Sequence, residues 1–362
     1  MVDQVYRELM QSFARLGGRD PGMDVPEFYQ MAKELFTPEE ASVASAIREA
    51  SSTAEQLAQT LGKDQGEVES TLQAMATKGL CESADVNGTE HYNLPPLVPG
   101  IFEYQFMRGT KTPRDRKLAK LMHDYKQAVD AVSGIPKISF PPTRVIAVDE
   151  QIEAGSKIHT YDQMSSYVEN SGPISLCTCY CRHEAELLDE SDTCGKPNDV
   201  CMQFGEGARF VIDTGLGREL SKKEAIAVLK RSEEEGLVHC SSNQQNIDFL
   251  CNCCPDHCEI LKTALAQPKP GLALNSGFQP DIDQEECTAC EQCVDRCPAT
   301  ALAMSEDDVP LLDLDRCFGC GVCATTCPTE AIALVEKAGH PEPPLDEETL
   351  RAALQDQAAY LS

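Results

Sequence analysis

The chain has 362 residues, with 59 acidic side chains against 31 basic ones and a formal net charge of −28. Such acidity repels phosphate backbones and anionic lipid, so nucleic acid and membrane surfaces are excluded as default partners and a cationic face on another protein is favoured. The length allows two or three domains, each with its own core. Nineteen cysteines demand an explanation of their own. Their odd number, the tight Cys-x-Cys and Cys-Cys spacings and an opening segment without a basic stretch leading into an apolar run favour metal ligation in a reducing cytoplasm over disulfides. No stretch approaches the roughly 18 to 20 consecutive apolar residues of a membrane span.

Residues 1–36 read as two amphipathic helices broken by GGRDPG, with Val2, Tyr6, Leu9, Met10 and Phe13 at helical spacing. Residues 37–100 follow, opening with three short helices near 38–50, 54–61 and 66–79. Thr37, Pro38 and Glu40 form a capping-box start for the first, and Gly62 and Gly79 stop the other two. Asn87-Gly88 marks a hairpin between 81 and 92. This order resembles a winged helix-turn-helix domain, which implies a candidate DNA-binding helix. Charge argues against that use. Between 37 and 93 stand ten acidic residues and three basic ones, and the helix in question opens with Glu67 and Glu69, so cations that would displace counterions are missing.

Residues 101–266 form a mixed, cysteine-rich region, with a strand expected at 144–148 and helices near 160–170 and 222–235. Seven basic residues between Arg108 and Lys126 make a cationic stretch, read as a solvated helix face or a seat for an acidic partner. Two cysteine blocks follow. The first is Cys177-Thr-Cys179-Tyr-Cys181-Arg182 with Cys194 and Cys201; the second is Cys251-Asn-Cys253-Cys254-Pro-Asp-His257-Cys258. So many close thiols need metal to be held as thiolates. Cys179, Cys181, Cys194, Cys201, Cys251, Cys253, Cys254 and Cys258 are the expected ligands of a third cluster, with a fourth also considered. Structural zinc is the alternative, and a redox dithiol a lesser one. Arg182 could donate to a cluster sulfur or pair with Glu184. His183, His239 and His257 are expected as polar surface or supporting groups rather than ligands, and Cys81 and Cys240 as isolated buried thiols.

After the linker Gln267-Pro-Lys-Pro-Gly comes an internal repeat at 278–336. Cys287-x2-Cys290-x2-Cys293-x3-Cys297-Pro298 recurs thirty residues later as Cys317-x2-Cys320-x2-Cys323-x3-Cys327-Pro328. This is the run of bacterial two-cluster ferredoxins. Two-residue steps let a looped backbone place three thiolates on three irons of one cubane, while the fourth cysteine reaches the other cubane. The expected ligand sets therefore cross: Cys287, Cys290, Cys293 and Cys327 for one [4Fe–4S] cluster, and Cys317, Cys320, Cys323 and Cys297 for the other. Two zinc ribbons would explain the C-x2-C pairs but not the third cysteine of each run or the repeated Cys-Pro. Residues 341–362 end in a short helix.

Taken together, the winged-helix-like segment, the Cys-x-Cys-Arg and Cys-x-Cys-Cys blocks and the tandem repeat resemble the anaerobe-type 4Fe–4S proteins. The resemblance implies an α+β multidomain chain, a pseudo-twofold dicluster ferredoxin fold and electron transfer with a partner oxidoreductase, without naming a substrate. Two rivals stand beside this reading: a reductase with a catalytic metal in the middle region, and a redox-responsive winged-helix regulator. No Gly-rich dinucleotide fingerprint follows a strand.

Overall fold

In the computed structural model, residues 4–48, 51–134, 138, 140–148, 151–152 and 163–361 are described. Helices α1 (Gln4–Leu16) and α2 (Pro26–Leu35) flank the Gly-Gly and Pro-Gly break. α3 (Pro38–Ala46) starts on the Thr37–Glu40 capping box, in which each residue satisfies the other's backbone N–H. Strand β1 (Ser52–Thr53) runs into α4 (Ala54–Leu61), capped by Thr53 with Gln56 and ended by left-handed Gly62. α5 (Gln65–Lys78) is capped by Asp64 and ended by Gly79. β2 (Glu82–Val86) and β3 (Thr89–Asn93) pair through Asn87-Gly88, both at positive φ, a turn whose twist suits the strands. α6 (Phe102–Phe106) and α7 (Pro113–Ser133) follow.

The next stretch alternates. It comprises β4 (Thr143–Val145), α8 (Met164–Asn170), β5 (Ile174–Thr178), α9 (Tyr180–Leu188), β6 (Asp199–Phe204), α10 (Gly205–Asp213), β7 (Arg218–Leu220), α11 (Lys222–Glu234), β8 (Val238–Ser242), β9 (Phe249–Cys253), α12 (Glu259–Leu265) and α13 (Pro270–Ala273). The strands form one six-stranded sheet ordered β4-β8-β9-β6-β5-β7. The strand expected at 144–148 is shorter because Val148 gives its N–H to the Cys320 carbonyl instead of a ladder partner. Positions 160–162 of the expected helix lie outside the described residues.

The chain then forms β10 (Phe278–Ile282), α14 (Gln292–Asp295), β11 (Leu302–Met304), β12 (Pro310–Leu312), β13 (Ile332–Glu336) and the final α15 (Glu347–Leu361). β10 pairs antiparallel with β13, and β11 with β12. Helix and sheet are mixed along the chain, and β4–β8, β8–β9 and β6–β9 pair antiparallel, consistent with an α+β arrangement.

Two compact units result: Met1–Gly134 with Cys177–Thr193 and Arg209–Arg218, and Ile135–Leu176 with Cys194–Ala208 and Glu219–Ser362. The first is built on aromatic packing. Phe28 meets Tyr125 edge-on at 5.7 Å, and Phe13 and Phe102 extend the cluster. It also buries an ion pair, Lys126 with Glu184 at 2.5 Å, to which the Tyr180 hydroxyl adds a contact at 3.1 Å. In the second unit, residues of β4, β8, β9 and α12 share one apolar core with Ala299, Ala301, Phe318 and Val322 of the cysteine repeat. That shared core fixes the repeat against the sheet.

Candidate metal centres

All nineteen cysteines carry thiols, with no disulfide among them. The tandem repeat folds into two loops that match residue for residue. The backbone is left-handed at Ala289, Glu291 and Thr300, and again thirty residues on at Gly319, Gly321 and Glu330. These reversals curl each loop around a cavity. One cavity is lined by Cys287, Cys290, Cys293 and Cys327, with Ile282 and Ile332 beside them. The other is lined by Cys297, Cys317, Cys320 and Cys323, with Leu302 and Leu312. Each therefore gathers three cysteines of one half and the last cysteine of the other. Cys293, Cys323, Leu302 and Ile332 pack in a single apolar cluster, flanked by Cys327.

Four thiols around an apolar cavity suit a [4Fe–4S] cluster, which is held by four thiolates and tuned by hydrogen bonds to its sulfurs. Such bonds are already aimed: the Ala301 N–H points to Cys297 Sγ at 3.2 Å and the Gly319 N–H to Cys317 Sγ at 3.4 Å. Burial pushes the thiols of Cys293, Cys317, Cys320 and Cys323 above their ordinary range. Without metal they stay protonated at neutral pH, and binding must release their protons.

Most of the middle cysteines fall into three groups. In the first unit, Cys179 stands just before the first residue of α9 and hydrogen-bonds with Cys181; that bond and burial raise the Cys179 thiol well above its ordinary range. In the second unit, the β8–β9 register places Cys240 opposite Cys251. Cys253 lies two residues along β9 and so points to the same face. Cys258, at the start of α12, joins them: Cys253 makes side-chain hydrogen bonds with Cys240, Cys251 and Cys258. Cys201 lies on β6 one residue before Met202, which pairs with Leu250 of β9. Cys240 is buried as expected, but it is not isolated; a cross-strand register brings it in, and no local spacing could have shown this. Cys194 and Cys254 form the third group, with their sulfurs 3.8 Å apart and His257 beside them.

Other candidates resolve into ordinary structure. His239 is buried between Asn252 Oδ1 at 2.6 Å and Glu233 Oε1 at 3.1 Å, rather than lying on the surface. The Glu184 carboxylate goes to Lys126, not to Arg182. Cys81 is buried and aims at the Leu72 carbonyl. Carboxylates meet most of the cationic stretch: Lys111 with Glu186, Arg116 with Glu190, Lys117 with Glu34 at 2.5 Å, and Lys120 with Asp124. Arg108 donates to the carbonyls of Thr77 and Thr214. On α5, Glu67 and Glu69 are exposed, while Lys78 turns to Glu40 at 2.6 Å.

A family model described as a 4Fe-4S dicluster domain matches residues 278–334. No curated protein matches the chain. No helix among the described residues is long and apolar enough to cross a membrane. The chain is an iron–sulfur protein with a 4Fe–4S dicluster domain.

Proposed function

We propose that this protein carries single low-potential electrons to or from a partner oxidoreductase, using two [4Fe–4S] clusters held crosswise in the cavities of the repeat. The observation that carries the reading is the membership of the two cavities, each with three cysteines of one half and the fourth of the other. Bound there, the clusters supply reversible one-electron chemistry. The protein holds them by eight thiolates, which leaves no position for a substrate. The apolar cluster of Cys293, Cys323, Leu302 and Ile332 excludes water between the two cavities. Backbone donors at Ala301 and Gly319 soften the charge of the sulfurs they face.

The group Cys240, Cys251, Cys253 and Cys258 extends this reading. Cys240, Cys253 and Cys258 share their apolar core with Cys317 and Cys320, so a third centre held by the group would neighbour the inner cluster. That position suits a relay better than a separate catalytic site. Nucleic acid is not expected as a partner, since the exposed face of α5 is acidic. A protein with a cationic docking face is.

Iron and acid-labile sulfide analysis of anaerobically prepared protein, with EPR of the reduced form, tests the proposal. About eight irons are expected from the repeat alone and more if the third group holds a cluster. Protein without iron, or with clusters that a low-potential donor cannot reduce, would overturn it.

A further inference from the structure

Cys194, Cys254 and His257 stand apart from the cavities of the repeat and from the Cys240 group. We propose that these three residues form a mononuclear zinc site with two thiolates, one imidazole and a water as ligands. The reading goes beyond electron transfer and does not depend on it.

Geometry is the first argument. Cys194 Sγ lies 3.8 Å from Cys254 Sγ, and Cys254 Sγ lies 3.9 Å from His257 Nδ1. All three ligand atoms fall within 4.8 Å of one another. Zn–S bonds near 2.3 Å at tetrahedral angles set a sulfur–sulfur edge of about 3.8 Å, and with Zn–N near 2.0 Å a sulfur–nitrogen edge of about 3.5 Å. One ion therefore fits among the three atoms with only small adjustments. The sulfurs are too far apart for a disulfide, whose bond is about 2.05 Å.

The second argument is how the chain presents the donors. Cys254-Pro255-Asp256-His257 is a tight turn directly after β9, closed by the Cys258 N–H to the Cys254 carbonyl at 3.2 Å. Its Cys-x2-His spacing brings both side chains to one point, as the two-residue spacing of zinc knuckles does. The turn also separates two functions: Cys253 faces the Cys240 group, and Cys254, one residue on, faces Cys194. Cys254 is 1% exposed and His257 7% exposed. Two thiolates against a dication leave a site with no net charge, so burial is tolerated without a further counterion.

Donor chemistry is the third. A cubane takes four thiolates, whereas two sulfurs and an imidazole make the Cys2His set of zinc sites that keep one position for water. His257 is thus a ligand, contrary to the expectation from sequence.

The test is metal analysis of the full chain prepared anaerobically with zinc present. About one zinc per chain is expected, with an X-ray absorption shell of two sulfurs near 2.3 Å and two lighter atoms near 2.0–2.1 Å. Cys254→Ser and His257→Ala should each lower zinc about tenfold or more and leave the iron content and the EPR of the reduced clusters unchanged. Cys194→Ser, on the partner loop, should do the same and guards against a folding defect in the turn. Absence of zinc, zinc indifferent to all three substitutions, a shell of four sulfurs, or iron lost in step with zinc would each overturn the site. Because zinc and iron are read separately, failure here leaves the electron-carrier reading standing, and the reverse also holds.

Discussion

The two loops of the cysteine repeat share their spacing and their backbone reversals, yet they sit in opposite environments. In the loop at 287–293, Thr288, Cys290, Glu291 and Gln292 are exposed, and Asp283, Glu285 and Glu286 lie exposed just before it. In the loop at 317–323 every residue is buried. That inner loop is cradled from outside the repeat: Val148 donates to the Cys320 carbonyl at 3.2 Å, and Ser276 to the Phe318 carbonyl at 3.0 Å and the Gly319 carbonyl at 2.6 Å. The same motif has thus produced an outward, acidic loop and an inward one beside further thiols. The motif sets which cysteines line each cavity; packing sets which cavity faces the world.

The sharpest way to break this comparison is to cross the halves by mutation. Cys327→Ser should remove the cluster of the outer loop and Cys297→Ser that of the inner loop, each with a loss of about four irons per chain. Iron analysis with EPR reads the outcome. If Cys327→Ser instead silences the inner loop, the crossed assignment is wrong.

Backbone strain offers a second contrast. A Cβ on Gly319, at φ +70°, would lie 2.0 Å from the Phe278 carbonyl oxygen. Gly319→Ala should therefore cost about 3 kcal/mol or more and speed loss of the inner cluster. Ala289→Gly, at the matching outer position, should change stability by only about 1 kcal/mol, in the stabilising direction. Denaturant unfolding of the iron-loaded protein compares them.

Anchoring should show a smaller effect. Arg296, in the outer half, donates to the carbonyls of Glu233 and Glu234 at the end of α11, at 2.9 and 3.0 Å. Arg296→Ala should destabilise by about 1–3 kcal/mol while leaving iron content intact. The mildest test is accessibility. A cationic paramagnetic relaxation agent should shorten the electron-spin relaxation of the outer cluster more than that of the inner one, and salt should weaken the effect. Equal response from both clusters would mean that the exposure contrast has no functional weight.

What could be read from the sequence was whatever depends on near neighbours along the chain. The Thr37–Glu40 cap, the Asn87-Gly88 turn, the stops at Gly62 and Gly79 and the cysteine runs all follow from spacings of a few residues, where backbone geometry leaves little choice. The membership of the middle thiol groups was not legible. Cys240 meets Cys251 and Cys253 only through strand register, and Cys194 reaches Cys254 across sixty residues. His257 read as a polar surface or supporting group because Cys194, which meets Cys254 beside it, comes from a distant loop. Which of two equivalent cysteine loops is buried was likewise decided by Val148, Ser276 and Phe278, residues outside both cysteine runs. Local chemistry wrote the ligands into the chain, but only the closing of strands and loops could choose their neighbours, because distance in space is set by packing and not by period.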